Sequence, residues 1–391
     1  MGIRLSAPGL VCCAGNSREE YFSNALHGNQ GGIRPFVTSG GKNFLAGLVP
    51  ESGLGQENPA SSRLFRITLA ALEQIKPEVE AAIAAYGPKR VGVCTGSCDN
   101  GSEQSLPAHK AYFSGSGFPA AYALKNQSAS LIAEFIAGFF GITGPCLTIA
   151  TACASSAGAI VKGAQLIESG ICDAVISGGA DLASETVLLG FAALEAISDE
   201  ICNPFSKNRK GITLGEGAAF YVLQRNEAQN KEQPDIELLG WSESSDAHHM
   251  TAPRPDGSGA KAAMQEALKV AKISPNDVGY INLHGTGTPL NDSMESLAVQ
   301  AVFADKSPPV SSTKPITGHT LGAAGALELA LCWMAVAQGG IPAHCWDGQR
   351  DESMPPLNFA APGSTAKPAI CMSNSFAFGG CNTSLIIGRS N

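Results

Sequence analysis

The sequence predicts a mixed α/β fold assembled from two related halves. Helical and strand-like apolar patterns alternate along the 391 residues. A glycine- and alanine-rich stretch, ACASSAGAIVKGA, is echoed later by GHTLGAAGALELA, which points to internal duplication. Hydrophobic residues make up 44% and charged residues only 15%, a balance that implies much interior and much subunit interface.

The elements follow in order. IRLSAPGLVCC reads as an opening strand, and residues 62–87 as a helix ending at Gly87. A short apolar strand follows at 89–97, then a helix at 128–141 stopped by glycine and a strand at 145–152. Residues 155–170 form a helix closed by Gly170, followed by a strand at 173–180. Such βαβ alternation calls for a largely buried sheet. Strands at 217–224 and 236–244 flank the polar run NEAQNKEQPD (226–235), which places the boundary between halves 1–233 and 234–391. The second half continues with a helix at 257–273, a strand at 278–288 running into a glycine loop, a small-residue helix at 320–340 and a final strand within 371–388.

Bulk properties exclude several classes. The net charge of −8 carries no nucleic-acid footprint, although a local basic patch for an acidic carrier is compatible with it. The apolar run 131–154 is broken by Glu134, Gly138, Gly141, Gly144 and Pro145, so it is no membrane span. Twelve cysteines without a CxxC pair fit a reduced, cytoplasmic setting. The start MGIRLS matches a loose myristoylation pattern but reads better as strand.

Cys153 stands between a predicted strand and a helix. It reads either as a small core residue or as a nucleophile favoured by the helix N-terminus. His284 ends an apolar strand beside GTGTP, with Thr286 and Thr288 at alternate positions. These hydroxyls suit either an amide-bearing substrate arm or turn hydrogen bonds. His319 precedes a helix and Lys314 lies five residues before it. Glu328, in the apolar stretch of that helix, needs a buried partner, for which Lys314 is the candidate. Phe378 opens a Phe-Gly-Gly stretch whose backbone N–H groups could approach a substrate carbonyl, or Phe376 and Phe378 are plain core. His248–His249 lack companions at ligand spacing, so no metal is expected. GSGFPA (115–120) contains Pro119 and follows no clear strand, so it reads as a substrate-side loop and not a dinucleotide site.

Together, TACASS, HGTGTP, KPITGHTLGAAGALE and SNSFAFGG, in this order, resemble a β-ketoacyl-acyl-carrier-protein synthase of the decarboxylating Cys-His-His type, within the thiolase superfamily. SGGAD, NPFSKNRKGITLGEGAAFYVL and DAHHMTAPRPDG agree, and the resemblance spans nearly the whole chain. It implies the thiolase fold, with duplicated βα halves in a five-layered α-β-α-β-α arrangement, and usually a dimer.

The resemblance also implies chemistry. Cys153, His284, His319 and Lys314 take the catalytic positions, with the backbone amides of Cys153 and Phe378 as oxyanion hole. Thr286, Thr288, Phe376 and Phe378 meet the pantetheine arm, and Glu328, Asp292 and Glu295 support. Helix N-terminal charge stabilisation accounts for Asp292 and Glu295 equally well. The implied reaction is acyl transfer: decarboxylative condensation of an acyl-enzyme with a malonyl thioester on acyl carrier protein, in type II fatty acid synthesis. No free cofactor is needed, because substrates ride on the carrier's phosphopantetheine. The alternative is a ketosynthase of a dedicated polyketide or polyene pathway, for example aryl polyene, paired with a chain-length factor. The partner is then a second copy or a ketosynthase-like subunit. Ala377 stands where the family usually has glycine, which implies a stiffer gate loop. Ser206 and Lys210 stand where it often has Asp, and Cys381 where it has Thr.

Overall fold

The computed structural model describes residues 2–54, 62–98, 101–225 and 236–389. The boundary at 233/234 lies outside the described residues. Two runs read as single elements are divided by proline. Pro8 separates the strands Ile3–Leu5 and Gly9–Cys12. Pro77, near the start of the helix Lys76–Tyr86, parts it from the helix Arg63–Leu72, with a 3₁₀ turn between. Proline offers no N–H to a ladder and is tolerated only in a helix's first turn. The helix Ser102–Ala111, with Pro107 inside it, carries too weak an apolar period to be read from sequence.

The duplication is visible in the strand order. Across the first half the sheet runs Cys146–Ile149, Val91–Gly96, Ala174–Asp181, Gly217–Arg225, then the opening strands. Across the second it runs Val310–Ser311, Tyr280–Asn282, Ile370–Phe376, Cys381–Arg389, Ile236–Ser245. Numbered within its own half, each reads third, second, fourth, fifth, first. In each, the first three are parallel and the remainder antiparallel. Antiparallel pairing of Ile3 with Leu238 and Arg4 with Glu237 joins the two sets. A small three-stranded sheet, Ile33–Val37, Asn43–Gly47 and Leu214–Gly215, lies apart.

Alternation along the strands sorts side chains into layers. In Gly217–Arg225, Ala219, Tyr221 and Leu223 face the central core, and Ala218, Phe220 and Val222 face an outer one. In Cys381–Arg389, Leu385 and Ile387 face the centre and Ile386 faces outward. The helices Arg63–Leu72, Lys76–Tyr86 and Leu131–Phe140 cover the first outer face. Ser258–Ala271 and Pro289–Phe303 cover the second. The central layer is the helix pair Ser155–Glu168 and Ala324–Gln338. The result is the five-layered thiolase fold.

Small residues let the central helices touch. A Cβ on Gly325 would lie 2.8 Å from the Ala157 Cβ, and the Ala326 N–H donates to Ser156 Oγ at 2.9 Å. The segment Leu321–Gln338 has the length and apolarity of a membrane span, but 89% of it is buried inside the fold.

Each central helix is entered through a 3₁₀ turn, Ala152–Ala154 or Leu321–Ala323, whose first residue is left-handed without being glycine: Ala152 at φ 49° and Leu321 at φ 54°. Such strain persists only where the surroundings impose it. Ser155 clamps the first turn, its Oγ accepting from Thr151 N–H at 3.0 Å and donating to the Ala152 carbonyl at 2.6 Å. Gly96 packs against this turn, and a Cβ there would fall 2.2 Å from the Ser156 nitrogen. Gly96→Ala is therefore expected to destabilise the fold by about 1–3 kcal/mol, the usual cost of overpacking. Denaturant unfolding measures it, and a neutral outcome would show that the turn has slack.

Candidate active site

The turn before the helix Ser155–Glu168 presents Cys153 to a cavity of about 360 Å³. The walls include His284, His319, Thr286, Thr288, Phe376 and Phe378, so the sequence-predicted pocket residues are brought together. The Cys153 sulfur and ring nitrogens of His284 and His319 all lie within 4.8 Å of one another. The two imidazoles meet nearly edge to face, with centroids 5.3 Å apart.

Hydrogen bonds fix which histidine nitrogens carry protons. His319 Nδ1 accepts the Leu321 N–H at 3.2 Å. His284 Nδ1 lies 3.4 Å from Lys314 Nζ, a group that only donates. Both rings therefore carry their proton on Nε2. Burial, then the charge of Lys314, holds both histidines well below the ordinary imidazole range, so they are neutral at pH 7.

Lys314 is fully buried. Its ammonium donates to the His284 carbonyl and to Glu328 Oε1, the latter at 2.5 Å. Burial pushes the Glu328 carboxyl up to about 6 and Lys314 pulls it back. The expected Lys314–Glu328 pairing is thus present, behind the cavity wall.

Asp292 and Glu295 support the histidine loop directly. Glu295 accepts from the His284 and Gly285 N–H groups at 2.8 and 2.7 Å. Asp292 accepts from Thr286, Gly287 and Phe205 N–H at 3.1, 3.3 and 2.8 Å. These carboxylates hold loop amides that no strand or helix satisfies, a role beyond charge at a helix N-terminus. Thr286 and Thr288 share a hydrogen bond of 2.9 Å.

The thiol departs from the expectation of a helix-activated thiolate. Burial pushes Cys153 up to about 11, while Lys314 and the Phe378 backbone amide pull it down. Cys153 rests as a thiol beside a donor that would hold an oxyanion. Ala377 does not stiffen the gate by strain, because its φ of −101° is ordinary extended backbone. Gly379, at φ 86°, needs glycine's freedom, and its N–H donates to the Met250 carbonyl at 2.8 Å.

Sequence reasoning assigned no role to Phe191, which stacks on Phe378 at 6.0 Å, or to Asp181. Asp181 accepts from Ser97 Oγ at 2.6 Å, Cys98 N–H at 3.0 Å and Gly322 N–H at 2.6 Å, so it ties the first half to the second entry turn. The SGGAD motif was its only signal. The Cys-His-His set has the composition of a three-ligand metal site. The Lys314 ammonium beside His284 Nδ1 and the protonated thiol oppose a dication there. The same features favour an anion: N–H donors converge on the space next to a sulfur nucleophile.

The neutral state of His319 predicts a pH dependence. In the unfolded chain this residue binds a proton near pH 6.5, whereas in the fold it does not. The unfolded state then takes up more protons as pH falls, so stability is lost on acidification. Relative to His319→Asn, the wild type should lose about 1.4 kcal/mol per pH unit below about pH 6 in denaturant unfolding. A pH-independent difference would mean that His319 titrates normally.

Comparison with known proteins agrees with this geometry. Residues 58–229 match the family model for the N-terminal domain of β-ketoacyl synthase, and residues 236–345 match that for the C-terminal domain. The chain is 32% identical to 3-oxoacyl-[acyl-carrier-protein] synthase 2 of Vibrio cholerae, over 97% of each chain. It is 40% identical to a ketosynthase solved in complex with its chain length factor from Xenorhabdus doucetiae, with a TM-score of 0.89 over 100% of this chain and 98% of that one. The ishigamide ketosynthase/chain length factor superposes with a TM-score of 0.90 at 28% identity, covering 100% and 99%. The chain belongs to the β-ketoacyl synthase family and is a condensing acyltransferase of the thiolase fold.

Proposed function

We propose that the chain is a 3-oxoacyl-[acyl-carrier-protein] synthase that lengthens acyl chains by two carbons in type II fatty acid synthesis. The observation that carries this is the pair of neutral imidazoles with Nε2–H, both within reach of one buried thiol. Cys153 attacks an acyl thioester carried on phosphopantetheine, and its proton ends on the departing pantetheine sulfur. The amides of Cys153 and Phe378 hold the oxyanion of this step. A malonyl thioester then enters past Thr286, Thr288 and Phe376. Loss of CO2 leaves an enolate, whose oxygen accepts from His284 and His319. Neutral donors suit this, since hydrogen bonds strengthen as charge develops and no proton needs to move. The enolate carbon attacks acyl-Cys153, and collapse of the intermediate expels Cys153 as thiolate, which takes a proton from solvent to return to the thiol. Lys314, with Glu328, orients His284 and supplies positive charge. No free cofactor or metal enters these steps.

The same reading assigns the nucleophile to an N-terminal half, 1–233, and the histidines and gate loop to a C-terminal half, 234–391. It sets the enzyme in the cytoplasm with acyl carrier protein as partner. A homodimer, or a heterodimer with a ketosynthase-like subunit, is supported by exposed apolar groups on one stretch. Phe113 is 81% and Leu124 74% exposed, and the edge strand Cys146–Ile149 leaves Leu147 38% exposed. A second reading, a dedicated polyketide or polyene ketosynthase paired with a chain length factor, is favoured by the 40% identity, over the full chain, to a ketosynthase solved with its chain length factor.

Two measurements test the mechanism. Cys153→Ala should abolish acyl loading from carrier or a short thioester mimic, followed by mass spectrometry. Full acylation of that variant would remove the proposed nucleophile. His284→Ala and His319→Ala should each slow malonyl decarboxylation about 10²–10³-fold, as for loss of an oxyanion donor, with a smaller effect on acyl loading. Normal condensation by both would overturn the enolate role.

A further inference from the structure

His344 lies outside the cavity and takes no part in the chemistry above, yet its placement is specific. It is buried, with its ring stacked on Phe359 at 4.0 Å and an interplanar angle of 11°. Nδ1 accepts the Ser312 N–H at 3.1 Å. Nε2 must then carry the proton, and it donates to the Pro204 carbonyl at 3.2 Å. One neutral ring thus bridges two chain segments far apart in sequence.

Both segments lead to the site. Ser312 Oγ donates to the Gly285 carbonyl at 2.6 Å, in the loop next to His284, and accepts from the Lys314 N–H at 3.4 Å. Pro204 precedes Phe205, whose N–H donates to Asp292, the carboxylate that holds Thr286 and Gly287. The backbone beneath His284, Lys314 and the threonines therefore converges on one imidazole.

We propose that His344 is a positioning residue for the decarboxylation step, fixing the His284 loop and Lys314 against each other through Ser312 and Pro204. The inference rests on the ketosynthase reading. A small shift of this loop would move His284 relative to the enolate oxygen and leave Cys153, on the other half of the fold, where it is. Misplacement of about 1 Å by a remote change costs up to about 100-fold in rate. The effect should fall on malonyl decarboxylation and not on acyl loading.

Three variants of the full chain separate this from a merely structural role. Asn at 344 sets an acceptor near the Nδ1 position, Gln sets a donor near the Nε2 position, and Leu offers neither. Malonyl decarboxylation and acyl loading of Cys153 are measured on each, with thermal melting as a check on folding. The expected result is a 10–100-fold slower decarboxylation for His344→Leu with acyl loading near wild type, and recovery of most of the rate in His344→Asn. Equal loss of both steps in His344→Leu, or unchanged decarboxylation, would overturn the proposal. If His344→Leu does not fold, the comparison moves to the other two. Asn outperforming Gln in decarboxylation at matched acyl loading supports it, and equal rates overturn it. A wild type that neither loads acyl groups nor decarboxylates malonyl thioester would instead overturn the ketosynthase reading itself.

Discussion

The site depends on a buried cation. Lys314 sits where no water reaches it, so its charge must be met by protein groups, and Glu328 from the central helix Ala324–Gln338 meets it. That one charge acts on three neighbours in useful directions. It leaves His284 with its proton on Nε2, and it reinforces the burial that keeps both histidines neutral. It also draws the Cys153 thiol downward against the stronger effect of burial, which leaves it raised to about 11. Burial alone would give neutral histidines but an inert thiol. The cation opposes the second effect in part while reinforcing the first.

The duplicated fold explains how such unlike groups meet. Each half supplies the same unit, a parallel strand, a left-handed entry residue and a small-residue helix in the central layer. In the first half the unit delivers Cys153. In the second it delivers His319, whose Nδ1 is held by the N–H of Leu321, the left-handed residue itself. Close packing of Gly325 on Ala157 brings the two helix starts together, and Asp181 bonds amides on both sides of the junction. The strain at Ala152 and Leu321 is thus tied to the geometry that places nucleophile and donor within 4.8 Å.

Much of this was legible in the sequence, for a definite reason. Strand–helix alternation and the echo between ACASSAGAIVKGA and GHTLGAAGALELA are local patterns, and they survive in the strand order. Cys153, His284, Lys314 and His319 each sit in a short stretch with its own turn chemistry, so their ordered set could be read. What was not legible depends on contacts far apart in sequence. Asp181 matters because Gly322 lies against it, 141 positions away. Asp292 and Glu295 could be read equally as supporting residues or as helix N-terminal charges, and the choice rests on loop amides that fold onto them. The helix start that favours a thiolate at Cys153 is a local feature, whereas the burial that pushes the thiol up is set by the whole fold.

The same distinction governs the mouth of the cavity. Replacing glycine with alanine at 377 removes some freedom, but backbone strain arises only where φ is positive. Ala377 lies in extended backbone, and the left-handed turns fall on Gly379 and Gly380, where glycine is kept. The loop is held by two backbone bonds to the segment 246–250, from Gly379 N–H to Met250 and from Asp246 N–H to Gly380. Those contacts and the stacking of Phe378 on Phe191 hold the loop in this conformation, in which Ala377 carries no backbone strain. Phe191 and Leu194 also line a second cavity beside Cys98 and Leu321. Both side chains also border the cavity that holds Cys153, so the two spaces share one wall.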